Sequence, residues 1–372
     1  MKKTFLCTLL TMIVTASLFA GEQSLGPHQQ RLHDSRVRAT NFLRTTQADD
    51  GSWTSPDAVG ISALIVYGLL KADVPVDDAM VAKGLQFIAA HSQEDGRLAS
   101  PSSRHSGYET CVALMTLQAG NQSGKYTEKI KNAERFIRLL QFDEDQGIDR
   151  SNDQYGGTGY GPDGGRPDLS NTAFLVEALQ ATGAKAEDPA LQKALVFISR
   201  CQNLETEHNT SPAAAKIDDG GFFYTVSAGG NSAAGETAEG GLRSYGSMTY
   251  AGLKSMIYAG LTPDDPRVKG AIDWIERNYT VESNPGMGNN GLFYYYQLFA
   301  KALDAMDLDH VEDAAGREHD WRQELADHLF SLQDENGSWV NTSTRWYEGD
   351  PNLVTAYSLI ALGYCDSQDQ DE

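Results

Sequence analysis

A turn that occurs twice in nearly the same words does most to limit the fold of this chain: Gln47-Ala-Asp-Asp-Gly-Ser-Trp53 and Gln333-Asp-Glu-Asn-Gly-Ser-Trp339. Each copy closes an amphipathic stretch that ends in an apolar pair. Six such pairs recur, at Phe42-Leu43, Phe87-Ile88, Phe136-Ile137, Phe197-Ile198, Trp274-Ile275 and Leu329-Phe330. A Gln follows at Gln47, Gln141, Gln202 and Gln333, and acidic residues and Gly come next. Gly supplies the positive φ that ends a helix and turns the chain. A Trp at such a turn brings a large apolar body that locks the loop onto the neighbouring helix.

A second helix follows each turn, with small and apolar residues and little charge, opening at Ser62, Thr110, Thr172, Thr249, Tyr294 and Thr355. Helices apolar on nearly every side are buried, and the opening Ser and Thr residues are predicted N-caps. Neither helix of a pair buries its face alone, so stacked pairs must share one continuous core. The pattern predicts an all-α protein, an α/α toroid of six outer and six inner helices in two concentric rings, as a single domain over residues 21–365. Every outer-to-inner loop then lies at one mouth of the ring. Three of these loops are long, at 147–167, 204–244 and 342–351. Loops beyond about fifteen residues in a compact domain are functional or disordered, and their aromatic and charged residues favour function.

Residues 1–20 read as an export signal: Lys2 and Lys3 precede an apolar run from Thr4 to Phe19, with small residues near Ala20. The run is too short and too interrupted, by Thr8, Thr11, Thr15 and Ser17, to match the roughly twenty apolar residues of a membrane helix. The expected location is periplasmic or extracellular, with no transmembrane segment once the signal is removed. A net charge of -21 without any Lys/Arg cluster makes nucleic acid and anionic membranes poor partners. Cys7 leaves with the signal. Cys111, Cys201 and Cys365 lack paired spacing and read as buried thiols, one bridge among them being left open. No His, Cys or acidic spacing suggests a metal, so no metal or cofactor is expected. Residues 366–372 form an acidic tail.

The Gln-to-Trp turns and alternating helices, over nearly the whole mature chain, resemble the repeats of squalene and oxidosqualene cyclases and of protein prenyltransferase β subunits. Pro167-Asp-Leu-Ser-Asn-Thr-Ala173 is similar to the Pro-Asp-x-Asp-Asp-Thr-Ala stretch of the cyclases. The family's proton-donor Asp is matched by Ser170 and its last Asp by Asn171. A carboxylic acid and a hydroxyl differ by about twelve pKa units, roughly 16 kcal/mol, so Ser170 cannot protonate an alkene. The zinc prenyltransferases are matched no better, because the mature chain has no Asp-x-Cys.

Inner-helix starts and long loops share the mouth, which makes Glu109, Asp168, Asn171, Arg243, Tyr245, Tyr250, Tyr295, Arg345, Trp346, Glu348, Asp350 and Asn352 the candidate ligand-binding residues. Asp168 is the candidate acid, base or ligand clamp; its structural reading is a helix N-cap. The Tyr294 to Tyr296 triplet cannot all face one way on a helix. Three functions fit. The resemblance implies an isoprenoid or other apolar small molecule held in the toroid. Rings of six helix pairs also serve carbohydrate hydrolases and lyases, for which Glu109, Asp168, Glu348 and Asp350 supply carboxylate pairs. A non-catalytic scaffold whose loops bind protein is the third.

Overall fold

The computed structural model describes residues 25–162 and 165–366, so the expected export signal and all of the acidic tail after Asp366 lie outside the described residues. The outer helices are α1 (Gln29–Thr46), α3 (Ala79–Ala90), α5 (Thr127–Leu139), α7 (Pro189–Arg200), α9 (Pro266–Asn278) and α11 (Trp321–Leu332). The inner helices are α2 (Val59–Lys71), α4 (Ser106–Ala119), α6 (Leu169–Ala181), α8 (Gly246–Tyr258), α10 (Leu292–Ala305) and α12 (Pro351–Tyr364). Sequence periodicity sets this division. Helix α5 buries only Ile130, Ala133, Phe136 and Ile137, one stripe at helical spacing, whereas α4 and α6 are buried over nearly their whole length. Inner helices touch in the order α2, α4, α6, α8, α10, α12, and α12 returns to α2, so the ring is closed. Among the described residues, no helix is long and apolar enough to cross a membrane.

The turn seen twice in the sequence exists five times in space. Gly51, Gly96, Gly156, Gly220 and Gly337 all have φ between +79° and +97°, and each presses its backbone on the next outer helix: a Cβ would stand 2.6 Å from the Lys83 carbonyl oxygen, 2.4 Å from that of Asn132, 1.8 Å from that of Lys193, 2.1 Å from that of Gly270 and 2.4 Å from that of Arg38. Only glycine fits there. The residue two positions on donates its main-chain N–H to a hydroxyl of the following inner helix: Trp53 to Ser62, Leu98 to Thr110, Thr158 to Thr172, Phe222 to Thr249 and Trp339 to Thr355, at 3.1 to 3.2 Å. The predicted role of these hydroxyls as N-caps is therefore corrected. The inner helices begin three or four residues earlier, and Thr110, Thr172 and Thr249 bond back to the carbonyls of Ser106, Asp168 and Tyr245 while holding the loop.

The recurring Gln of the turn joins one repeat to the next. Gln47 donates to the Gly51 and Met80 carbonyls, Gln141 to Gly156 and Ala190, Gln202 to Gly220 and Arg267, and Gln333 to Gly337 and Ser35. The last of these ties the sixth repeat to the first. Arg36 strengthens that seam by bonding the Leu362 carbonyl at 3.1 Å and Asp366 at 2.9 Å. Trp53 and Trp339 are fully buried, and each indole N–H reaches its own outer helix, at the Leu43 and Leu329 carbonyls, both at 2.8 Å.

Candidate functional site

Because all inner helices run the same way, their N-termini ring the mouth and the residues one face of each helix presents fall into layers down the axis. Positions three or four apart share a helix face. On α6 that face carries Ser170, Phe174 and Glu177, and on α10 it carries Tyr294, Gln297 and Lys301. In the upper layer four aromatic rings encircle the axis. Tyr108 meets Phe174 edge-on with centroids 4.9 Å apart, Phe174 and Tyr294 are 6.3 Å apart, and Tyr294 and Tyr357 are 6.0 Å apart. The Tyr108 and Tyr357 hydroxyls interact electrostatically on the remaining side of the circle. Ser170 Oγ lies 2.8 Å from the Tyr294 hydroxyl across the ring. Burial raises the pKa of the Tyr108, Tyr294 and Tyr357 hydroxyls, which keeps them protonated donors.

Glu109 stands beside this aromatic collar in the first turn of α4 and is almost wholly buried. Its Oε2 has no hydrogen-bond partner among the described residues. Burial pushes its pKa up to about 7; the Ser103 hydroxyl and the Gly60 N–H oppose the shift, and the nearby Asp57 carboxylate adds to it. Asp57 is exposed and accepts from Ser100 Oγ at 3.0 Å. A carboxyl of this kind is part protonated and part ionised at neutral pH, as acid and base chemistry requires.

Asp168 is the N-cap of α6. Its Oδ1 accepts the Asn171 N–H at 2.9 Å and its Oδ2 accepts the Asn171 side-chain amide at 2.7 Å. Burial raises its pKa to about 6 against the pull of these bonds and of the facing Tyr224 hydroxyl. Both carboxylate oxygens are thus occupied by structure. Three other candidates are likewise engaged. Glu348, from the last long loop, accepts the Tyr294 N–H at 2.8 Å and the Phe293 N–H at 3.3 Å, so it caps α10, whose own N-cap is Gly291. Asp350 caps α12 through the Asn352 N–H at 2.9 Å. Asn352 accepts from Thr46 at 2.7 Å.

The remaining candidates divide between rim and core. Arg345 and Trp346 lie in an exposed turn at the mouth, the guanidinium 4.1 Å from the indole centroid, and Trp346 has a φ of 55°. Tyr245 is buried at the start of α8. Arg243 is exposed beside it. Tyr250 and Tyr295 are fully buried: they meet edge-on in the core, centroids 5.6 Å apart, and the Tyr295 hydroxyl donates to the Thr280 carbonyl at 2.7 Å. Tyr294 is the member of the triplet that faces the axis, since α10 turns about 100° per residue.

Beneath the collar lies a charged layer that the sequence reading did not find. Glu177 is paired on both carboxylate oxygens, by Lys254 from α8 and by Lys301 from α10 at 2.5 Å on the second, and all three are buried. Burial alone would raise the Glu177 pKa, but the two ammonium groups hold it well below the usual range. Burial lowers the pKa of Lys254. The three thiols among the described residues, Cys111, Cys201 and Cys365, are free and buried, with pKa values raised by burial.

No protein-family model matches the sequence, and no curated protein matches it. Solved structures do match. A variant of type II terpene cyclase MstE from Scytonema, in complex with its substrate geranylgeranyl dihydroxybenzoate, superposes with a TM-score of 0.53 at 13% identity, over 90% of this chain and 97% of that one. A protein from Actinoplanes gives 0.53 at 14% identity, covering 90% and 99%. A polysaccharide lyase gives 0.55 at 10% identity, covering 92% and 98%. At these identities the likeness is one of fold. The chain is an α/α toroid, the architecture shared by terpene cyclases and carbohydrate-active enzymes.

Proposed function

We propose that this chain is an exported, carbohydrate-active toroid that takes a hydroxyl-rich saccharide at its mouth, with Glu109 as proton donor and Asp57 as the second carboxylate. The observation that carries this reading is the chemistry of the axis. A polyprenyl chain needs a deep hydrocarbon-lined chamber, but here aromatic rings with centroids 4.9 to 6.3 Å apart encircle the axis and a buried Glu-Lys-Lys layer lies beneath them. Desolvating charge against hydrocarbon is costly. The collar offers flat rings edged with hydroxyls, which suit a sugar's apolar face and its OH groups together. Exposed Trp346, Tyr347 and Tyr160 extend the aromatic surface outward. A carboxylic acid with a raised pKa beside a second carboxylate is the arrangement of glycoside hydrolysis. Ser170 takes the position of the cyclase acid without its acidity, which also disfavours alkene protonation.

The test is to present the chain from Gly21 onward with a panel of oligosaccharides and a panel of polyprenyl compounds. Expected are saccharide binding lost in Tyr294→Ala, and turnover that falls at least about a hundredfold in Glu109→Gln with binding kept. Retention of a polyprenyl ligand, with no saccharide shifting the melting temperature, overturns the reading in favour of an isoprenoid binder.

A further inference from the structure

A cleft of about 420 Å³ opens between the 204–244 segment and the C-terminal end of α9, within the size range of small-molecule sites, roughly 300–1,000 Å³. Asp219, Thr237, Arg243, Trp274, Arg277 and Asn278 line it. The one carboxylate among these six is engaged. Asp219 Oδ1 accepts Ser244 Oγ at 2.7 Å and the Gly221 N–H at 3.0 Å, and Oδ2 accepts the Trp274 indole N–H at 3.2 Å. Both guanidiniums are anchored by main-chain carbonyls instead. Arg277 donates through one terminal nitrogen to the Asp219 carbonyl at 2.6 Å, and Arg243 donates through Nε to the Glu236 carbonyl at 3.2 Å. Each is exposed and keeps further N–H groups for the cleft.

Anchoring by a neutral acceptor fixes a guanidinium without neutralising it. Two such groups converging on one cleft are set to receive a planar or tetrahedral oxyanion by paired hydrogen bonds, for which Arg is better suited than Lys. The chain as a whole is strongly acidic, at -21, so a free anion approaches this cleft for local rather than general reasons. Thr237, Asn278 and the neighbouring Ser244 supply the partners that hydroxyls need. The cleft lies at the mouth end of the ring: Ser244 lines it, and the next residue, Tyr245, is the N-cap of α8.

We infer that this cleft is an outlying subsite for an acidic sugar, a carboxylate-bearing or sulfated residue of a saccharide whose neighbouring units occupy the mouth. The inference rests on the saccharide reading above and adds the ligand's charge. The experiment is calorimetric titration of the mature chain with trigalacturonate, with the same trimer reduced to its neutral alcohol, and with inorganic sulfate. Expected is binding of the acidic trimer at least about tenfold tighter than the neutral one, the difference weakening with salt and vanishing in Arg243→Gln/Arg277→Gln. Arg243→Lys/Arg277→Lys, which keeps the charge without the paired geometry, restores part of it. Equal binding of both trimers, unchanged by the Gln pair, overturns the inference and leaves the saccharide reading standing. Sulfate binding as tightly as the acidic trimer reduces the cleft to a simple anion site and overturns it too. If neither trimer binds, the saccharide reading itself falls and takes this inference with it.

Discussion

Single residues in this protein are dominated by burial. Glu109 has an ordinary pKa of 4.5 raised to about 7 in the fold. The folded chain therefore holds this proton more tightly than the unfolded one. The stabilisation is complete below about pH 4.5 and is lost as pH rises through 7, an effect of up to about 3 kcal/mol at 1.36 kcal/mol per unit. Asp168, raised from 3.8 to about 6, acts in the same direction over a lower window. Unfolding free energies of Glu109→Gln and the parent, compared between pH 4.5 and 8, should diverge in favour of the variant as pH rises. Parallel curves would mean that Glu109 ionises normally. The Glu177 layer predicts an asymmetry. Glu177→Gln strands two buried ammonium groups and should cost roughly 3–5 kcal/mol in denaturant titrations, whereas Met at Glu177, Lys254 and Lys301 together should be near neutral or stabilising. These residues also mark the limit of what the sequence disclosed. Glu109 and Asp168 were visible because a carboxylate at the opening of an apolar helix stands out. Glu177 and Lys254 are each the one charge within an apolar helix, Lys301 shares its helix with Asp304 alone, and only the order of helices around the ring brings the three together. Tyr250 and Tyr295 looked equivalent to Tyr294 because the facing of three consecutive tyrosines depends on a helix rotation that composition does not encode.

At the scale of elements, the repeated turn carries the fold, and its working parts are less conspicuous than its Trp. What recurs is a left-handed Gly pressed on the next outer helix, a Gln bonded to two carbonyls, and a loop N–H given to an inner-helix hydroxyl. Leu98, Thr158 and Phe222 stand where two copies have Trp. The helix pairs and the Gln of four turns were therefore legible in the sequence, while the turn at Gly96 and the full likeness of those at Gly156 and Gly220 were hidden by the variable side chain that replaces Trp. Two glycines separate conformation from packing. Gly183 has a φ of +93° and nothing within 4 Å of a built Cβ; Gly220 has a φ of +79° with the Gly270 carbonyl oxygen 2.1 Å away. Gly183→Ala should cost about 1–2 kcal/mol, the left-handed penalty alone. Gly220→Ala must also push α9 outward, and should cost at least about twice that, read as the difference in unfolding free energy. Equal losses would show that the turn does not bear on the neighbouring helix.

For the molecule as a whole, closure is the property that a repeat protein does not otherwise have. An open array has two free ends and needs capping repeats, and its stability is close to a sum over neighbours. Here α1 packs on α11 and α12, and Gln333 and Arg36 cross from the last repeat to the first. The seam is thus one junction among six rather than a pair of ends, and the ring should unfold as one unit. Four of the five Trp residues, Trp53, Trp321, Trp339 and Trp346, sit in the two repeats that flank the seam, so tryptophan fluorescence reports chiefly on it while far-UV circular dichroism reports on all helices. In the parent chain the two signals should trace one transition in urea. Gln333→Ala with Arg36→Ala removes the cross-seam bonds of these two side chains, leaving buried partners unmet at about 1–3 kcal/mol each, while Arg31–Asp327 and Thr46–Asn352 remain. The fluorescence transition should then move to lower urea than the dichroism transition. Gln202→Ala, which removes the matching pair of bonds at an interior junction, shifts both signals together only if the closed seam is what keeps the ring cooperative. If the seam variant also shifts both together, by the same amount as Gln202→Ala, the two ends are held by the shared core of α2 and α12 alone and the outer-ring bonds add stability without adding closure.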